Sequence, residues 1–234
     1  MNIELMRNNE NRLCRGGTGT EYIDVYQSYI TVLFNHMKSG GQGDTLSTVP
    51  ITDNCGSVVG QLRPITRDFL VSVPGCARLI ARWRNENPTL SAQAFTATEQ
   101  GTISWLENQI LARSDRLLFL ILLNDGTAVG HIGYSNFDYA RRMCEVDAVL
   151  RGEKSAPPGT MTFALHALIR WGLDTLKLNI IRLRVFADNT HAIEFYKRNG
   201  FVVKAENLPA GEGSEKAYTL MQLDIPSWRQ GVYQ

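Results

Sequence analysis

A continuous apolar run from Leu117 to Leu123 is the feature that most limits how this chain can fold. The residues Asn124-Asp125-Gly126 follow it, and residues of these types form tight turns. The next stretch, 128–137, again has the composition of a strand. Together these segments predict a β-hairpin. The run is also much too short to cross a bilayer core of about 30 Å.

The segments around this hairpin alternate between strand-like and helix-like patterns. Before it we predict one strand and two helices, each helix with one apolar face: 58–66, 75–87 and 98–113. After it we predict, in order, a strand, a helix, a strand, a short helix and two final strands: 142–150, 160–176, 180–186, 190–198, 201–206 and 216–223. No internal repeat is evident, which argues against a solenoid.

The first 57 residues have a different composition from the rest of the chain. Polar, glycine-rich pieces bracket an amphipathic stretch, 22–37, in which apolar side chains recur at helical spacing: Tyr26, Ile30, Leu33 and Met37. We therefore predict three regions: an extension with one helix over 1–57, a main domain over 58–225 and a tail over 226–234. Two roles for the extension stay open, docking onto a partner protein and exchange across a homodimer.

The overall charge of the chain is nearly balanced, with 24 Lys and Arg against 23 Asp and Glu. This balance argues against a nucleic-acid binder. The four cysteines form no CxxC pair and have no histidine at metal-ligand spacing, which argues against a zinc site or a disulfide framework. With a polar start and no membrane segment, we expect a cytoplasmic protein without a metal.

The loop before the helix at 160–176 has features of an anion site. Gly159 precedes the helix, whose first backbone N–H groups and dipole suit a phosphate or pyrophosphate. A turn that merely starts the helix explains the same residues. Pro157 and Pro158 lack an N–H group and cannot donate hydrogen bonds there.

A segment downstream of this loop carries a family resemblance. From Leu183 to Phe201 a strand ends at Asn189, a helix contains Ala192 and Tyr196, and Gly200-Phe201 opens the next strand. This pattern closely resembles the signature of the GNAT superfamily of N-acetyltransferases. The segment 80–86 is similar to the first helix of members that act on amino sugars or protein N-termini. The resemblance covers roughly residues 58–223.

The resemblance implies a fold and a donor. The fold is an α/β fold with a central, mostly antiparallel sheet, a splayed parallel strand pair and flanking helices. The donor is acetyl-CoA. By correspondence, the backbone of the strand before the loop, at Ala148, Val149 and Leu150, would pair with the pantetheine arm. The loop amides near Gly159, Thr160 and Met161 would hold the pyrophosphate. Asn189 and Ala192, at the start of the helix after the next strand, would contact the cofactor. Only Gly159 matches a glycine of the usual loop.

The resemblance also implies catalytic groups. Tyr196 corresponds to a tyrosine that can protonate the departing thiolate, although it could equally pack the helix against the sheet. Asn189 can cap its helix whether or not it also contacts the cofactor. Glu145 is the first candidate for the base, and Asp147 projects from the same face of its strand. Both carboxylates could instead pair with arginines. His131 and His166 read as surface or packing residues.

The acceptor is predicted as the primary amine of a small molecule, with a nucleotide-linked amino sugar as one candidate. The acceptor wall is predicted from the first helix and the strand before the base, as these residues: Trp83, Arg84, Asn85, Tyr134 and Asn136. Two other functions stay open. One is an acyl-CoA sensor without turnover, and the other is acetylation of protein N-termini. Cys144 reads as a buried thiol rather than an acylated nucleophile.

Overall fold

The structure is a computed structural model that describes residues 19–40, 48–88, 96–211 and 216–231. Cys14, most of the glycine-rich pieces and the last three residues of the predicted tail lie outside the described residues. The helices are α1 (Thr20–Lys38), α2 (Phe69–Ser72), α3 (Cys76–Glu86), α4 (Glu99–Trp105), α5 (Thr160–Asp174), α6 (Thr190–Arg198) and α7 (Ile225–Arg229). The strands are β1 (Val49–Thr52), β2 (Val58–Pro64), β3 (Leu117–Leu123), β4 (Ala128–Asp138), β5 (Met143–Arg151), β6 (Ile180–Phe186), β7 (Phe201–Pro209) and β8 (Ala217–Leu223).

The strands form one mixed sheet in the order β1-β2-β3-β4-β5-β6-β8-β7. Every neighbouring pair is antiparallel except β5 and β6, which are parallel. The connection between these two strands is α5, as expected for a parallel crossover. The structure confirms the predicted α/β fold with a mostly antiparallel sheet and one parallel pair.

Strand β3 is buried on both faces of the sheet, which explains its unbroken apolar sequence. Leu117, Phe119 and Ile121 belong to the larger core cluster with α1 and α5. Their neighbours Leu118, Leu120 and Leu122 face the second cluster, with α3 and the turn after α4. Helices therefore cover both sides of the sheet at its centre.

Helix α1 is attached to the end of α5 through two tyrosines. The hydroxyls of Tyr26 and Tyr29 donate to the carbonyls of Leu176 and Thr175, each over 2.8 Å. The last carbonyls of a helix have no partner within it, so these bonds cap α5. The predicted extension thus contributes a helix to the main core, and β1 contributes an edge strand to the sheet.

Lys38 gives α1 a second attachment on the other side of the sheet. Its side chain is fully buried, and Nζ donates to the carbonyls of Ile110 and Arg113. Burial lowers the pKa of this lysine to about 8. These carbonyls end a π-helical turn, 106–111, that follows α4, where the sequence predicts one uninterrupted helix.

The other differences from the sequence prediction are short elements. Helices α2 and α7 and strand β1 have four or five residues each, too few for a periodic pattern. Helix α7 starts at the boundary predicted for the tail, and its Trp228 is buried in the core. Within the described part of the chain, none of the helices is long and apolar enough to cross a membrane.

Replacing both tyrosines, Tyr26→Phe with Tyr29→Phe, is expected to lower the free energy of unfolding by about 2 kcal/mol, because two hydrogen bonds to helix-end carbonyls are lost. Urea denaturation measures the change. The control is Ser28→Ala on the exposed face of the same helix, for which we expect a change within about 0.5 kcal/mol. Equal effects of the two changes would contradict the capping role.

Candidate functional site

The site lies where β5 and β6 separate. The two strands pair over only three residue pairs, which end at Glu145 and Arg182. Beyond these residues β5 continues to Arg151 and β6 continues to Phe186 without further pairing to each other. The edge of β5 that faces β6 therefore offers backbone groups that no neighbouring strand uses. Two cavities occupy this opening.

The first cavity, here called the loop cavity, has a volume of about 600 Å³. It lies between the end of β5, the start of α5 and one face of α6. Its walls are Glu86, Asn87, 149–152, Lys154, Pro157, 159–162, Asn189, His191, Ala192, Phe195, Tyr196 and Arg198. Three of these residues, Arg151, Lys154 and Arg198, are basic, whereas Glu86 supplies the carboxylate, so the cavity favours an anionic ligand.

Arg151 shapes the loop that closes this cavity. Its guanidinium donates to the carbonyls of Glu153, Lys154 and Ala156 over 3.3, 2.8 and 3.2 Å. The loop then turns into α5 at Gly159, whose φ of 84° is a left-handed conformation that favours glycine. Arg151 thus holds the loop in one conformation through these three hydrogen bonds.

The amides at the start of α5 are not equally available. The amide of Thr160 donates to the carbonyl of Pro157 over 3.2 Å, and the Thr160 hydroxyl donates to the same oxygen over 2.7 Å. Thr160 was predicted to hold pyrophosphate through its amide, and this bond already engages that donor. Met161 and Thr162 follow, and first-turn amides have no acceptor within a helix. Both residues line the cavity.

Because Gly152 has no side chain, the ring of Trp83 can pack directly against the end of β5. A methyl group at this position would lie 2.1 Å from Cδ2 of Trp83, so a larger residue does not fit. The Trp83 ring is fully buried, and its Nε1–H donates to Glu153 over 2.9 Å. Trp83, which the sequence placed in the acceptor wall, therefore packs behind the loop and is not among the residues that line either cavity.

The second cavity, here called the arginine cavity, has a volume of about 340 Å³ and lies on the opposite side of the opening. Three arginines and four aromatic residues dominate its walls. The lining residues are Arg84, Trp105, Arg116, His131, 146–150, 184–186, Asn189, Ala192, Tyr196 and Tyr218. The guanidinium carbons of Arg84 and Arg116 lie 5.1 and 5.8 Å from the centre of the Trp105 ring.

His131 holds a bulge of β5 in this cavity. Ala148 has a φ of 50°, unusual for a residue other than glycine, and the register between β4 and β5 shifts next to it. The Ala148 carbonyl lies 2.6 Å from Nδ1 of His131. Because a carbonyl can only accept, Nδ1 carries the proton and Nε2 is left as an acceptor. Burial lowers the pKa of His131 to about 4, so the ring is neutral near pH 7.

The two cavities share five lining residues: Val149, Leu150, Asn189, Ala192 and Tyr196. Burial, and then the nearby charge of Asp147, raise the pKa of Tyr196, so its hydroxyl keeps its proton and can donate it. The side chain of Asn189 accepts from the amide of Ala192 over 3.1 Å and caps α6. Both roles weighed for Asn189, the cap and a place beside the ligand, are compatible with this position.

The two predicted base candidates have different surroundings. Asp147 lines the arginine cavity and pairs with Arg116 over 2.6 Å. Glu145 accepts from Arg184 and from Asn136, each over 2.9 Å, and is not among the residues that line either cavity. Of the two carboxylates, only Asp147 therefore shares a cavity with Tyr196.

The predicted acceptor wall is only partly brought together. Arg84 lines the arginine cavity, whereas Asn136 holds Glu145. Tyr134 is fully buried under α5 and donates to the carbonyl of Leu168 over 3.0 Å. Asn85 bonds both backbone groups of Ala97, over 2.9 and 2.7 Å. These contacts give Tyr134 and Asn85 roles in packing.

Several residues that line the arginine cavity were not predicted from the sequence. The alternating pattern of β6 could have indicated Arg184, because Leu183 and Val185 are buried on one face of the strand and Arg184 points to the other. No sequence pattern indicated Trp105 and Arg116, since they reach the cavity from separate parts of the chain. Within the described ranges, no group of three or more His, Cys, Asp or Glu side chains is arranged to hold a metal ion.

Comparison with known proteins places this geometry in a family. The sequence model of an acetyltransferase (GNAT) domain matches residues 62–202. No curated protein sequence matches the chain significantly.

Solved structures with the same fold have low sequence identity to this chain. A probable GNAT-family acetyltransferase from Chromobacterium violaceum is 18% identical, with a TM-score of 0.59, covering 82% of this chain and 92% of its own. FdhC, described as a nucleotide-linked sugar GNAT, is 13% identical, with a TM-score of 0.60 and coverages of 78% and 93%. The spermidine/spermine N-acetyltransferase SpeG from Vibrio cholerae is 16% identical, with a TM-score of 0.54 and coverages of 74% and 96%.

The neutral, buried state of His131 predicts a pH dependence of stability. Its pKa is about 4 in the folded chain against an ordinary value of 6.5, so the unfolded chain binds more protons between these values. Stability is therefore fully present above about pH 6.5 and is lost as the pH falls towards 4, by up to about 3 kcal/mol.

Urea denaturation of the wild type and of His131→Gln from pH 7.5 to 4.5 measures this loss, and the variant is expected to show a shallower dependence. His191→Gln removes an exposed histidine and serves as the control. Parallel pH profiles for wild type and His131→Gln would rule out the predicted linkage.

Proposed function

Since this chain belongs to the GNAT acetyltransferase family, we propose that it moves an acetyl group from acetyl-CoA directly to a primary amine of a small molecule. The donor would occupy the loop cavity and the acceptor would enter from the arginine cavity. The observation that carries this proposal is the meeting of the two cavities at Val149, Leu150 and Tyr196, where β5 and β6 have separated.

The loop cavity fits the chemistry of coenzyme A. The first-turn amides of Met161 and Thr162 and the basic side chains of Lys154 and Arg198 line it, and these groups suit a pyrophosphate. The unpaired edge of β5 suits an extended, amide-containing pantetheine arm, which can add to a strand edge by backbone hydrogen bonds. Acetyl-CoA supplies a thioester, whose sulfur leaves as a thiolate.

Tyr196 is proposed as the general acid. It lies where both cavities meet and its raised pKa keeps the hydroxyl protonated. A proton delivered to the departing sulfur neutralises the negative charge that develops on it and so makes its departure easier. The N-terminal cap that Asn189 gives to α6 holds the helix that carries Tyr196.

Asp147 is proposed as the carboxylate that receives the proton of the incoming ammonium, because it lines the acceptor side of the opening. Arg116 holds Asp147 in position through their ion pair. Glu145, the first candidate from the sequence, would instead support the wall through Arg184 and Asn136.

The transfer is proposed to be direct, without an acylated cysteine. Cys144 is fully buried, and this burial raises the pKa of its thiol. A thiol that stays protonated and cannot reach a substrate is a poor nucleophile. An amine held on the arginine side would therefore attack the thioester itself. Nucleotide-linked amino sugars are the first acceptors to test, since FdhC is described as a nucleotide-linked sugar GNAT.

Tyr196→Phe is expected to lower kcat/KM by at least about tenfold, which corresponds to about 1.4 kcal/mol of transition-state stabilisation. Binding of acetyl-CoA should change little, because the substitution removes only the hydroxyl. Release of CoA thiol with a panel of nucleotide-linked amino sugars and polyamines measures the rate. Calorimetry measures acetyl-CoA binding.

Tyr22→Phe is the matched control, since Tyr22 lies on α1 and is not among the residues that line either cavity. Binding of acetyl-CoA without thiol release on a broad panel would instead support a sensor. Failure to bind acetyl-CoA would refute the assignment of the loop cavity.

A further inference from the structure

The charge of the arginine cavity restricts the acceptor, provided that the proposed function holds. Among its lining residues, Arg84, Arg116 and Arg184 are cationic, whereas Asp147 supplies the one negative charge. His131 is neutral near pH 7. If Glu145 is added, because it pairs with Arg184 from outside the cavity, three arginines still face two carboxylates.

The surroundings of Arg116 leave room for another acceptor of hydrogen bonds. Its Nη2 donates to Asp147 over 2.6 Å. Its Nε is buried and has no hydrogen-bond partner among the described residues. Buried donors in folded proteins are nearly always paired, so a donor of this kind at a cavity wall indicates a missing partner.

Arg84 and Arg116 are also held in fixed positions. Both guanidinium groups lie within 6 Å of the centre of the Trp105 ring, where cation–π attraction orients them. A held guanidinium loses little conformational freedom on binding and matches phosphate or carboxylate oxygens with two parallel hydrogen bonds. The guanidinium carbon of Arg184 likewise lies 5.7 Å from the centre of the Tyr218 ring.

These surroundings disfavour a polycationic acceptor. A polyamine carries several positive charges, and each would approach arginines that outnumber the carboxylates lining or pairing with this cavity among the described residues. Like charges brought together in a partly buried site repel strongly. The spermidine specificity of SpeG therefore does not suit this cavity, although the fold is shared.

We infer that the acceptor is a primary amine that also carries an anionic group, a phosphate or a carboxylate, and that Arg84 and Arg116 bind this group beside Trp105. The anion places the amine at Asp147 and Tyr196. The arginines thus determine which amine is used, and the residues at the meeting point of the cavities perform the transfer.

The test compares acceptors that differ by one anionic group: an amino sugar with and without a phosphate ester, an amino acid with its amide, and spermidine. We expect the anionic member of at least one pair to have a kcat/KM at least about tenfold higher. The phosphate pair and the amino acid pair identify which anion is used. Preference for spermidine, or for the neutral members, would overturn the inference.

Arg84→Gln is expected to raise KM for the anionic acceptor by roughly tenfold or more while KM for acetyl-CoA stays within about twofold. Arg84→Lys keeps the charge without the planar fork, and an intermediate KM is expected. The control is Arg78→Gln, because Arg78 lies on the same helix, is exposed and pairs with Glu99 outside the cavity. Thermal unfolding of each variant checks that it is folded.

A binding experiment separates this inference from the proposed function. The protein is saturated with CoA and then titrated with inorganic pyrophosphate in a calorimeter. Binding that Arg84→Gln abolishes and Arg78→Gln retains would support an anion site, even if no tested amine releases thiol. Absence of binding of pyrophosphate, and of acetate in a parallel titration, to the CoA-saturated protein would overturn the inference, whatever the transfer assay shows.

Discussion

The early end of pairing between β5 and β6 is the constraint on which the site depends. After Glu145 and Arg182 the two parallel strands no longer share hydrogen bonds, and both cavities occupy the opening. A fully paired sheet would have no passage from one face to the other at this point. The unpaired backbone needs support from elsewhere, and His131 provides part of it by holding the carbonyl of Ala148 at the bulge.

The chemistry of the opening divides between its two sides. On the loop side, helix-start amides and basic side chains suit a ligand with several phosphates. On the other side, Trp105 and a carboxylate hold the arginines in place, an arrangement that we propose selects an anionic group on the acceptor. Tyr196 belongs to both sides, so a proton donor stands where the two ligands would meet.

The sequence predicts the fold well where a pattern is long or a family motif is local. The run at β3 is reproduced from Leu117 to Leu123, and α6 has its predicted bounds. The amphipathic stripe of α1 is buried, but its attachment to the end of α5 depends on tyrosines 146 and 150 residues away from their partners. The arginine cavity, the side proposed for the acceptor, was least predictable, since Trp105, Arg116 and Arg184 converge only in three dimensions. Tyr134 and Asn85 were selected by position, and only the packing shows that they face inward.

The attachments of α1 bear on what counts as the smallest folding unit. The stretch that matches the family, 62–202, omits α1, β1 and β8. Without α1, part of the apolar face of the sheet and the carbonyl end of α5 would be open to water, and without β1 the strand β2 would lose its edge partner. Without β8, the strand β6 would lose its antiparallel neighbour. We therefore expect a fragment cut at the family boundaries to aggregate rather than fold. The stretch that matches the family is thus shorter than the part of the chain that must fold together.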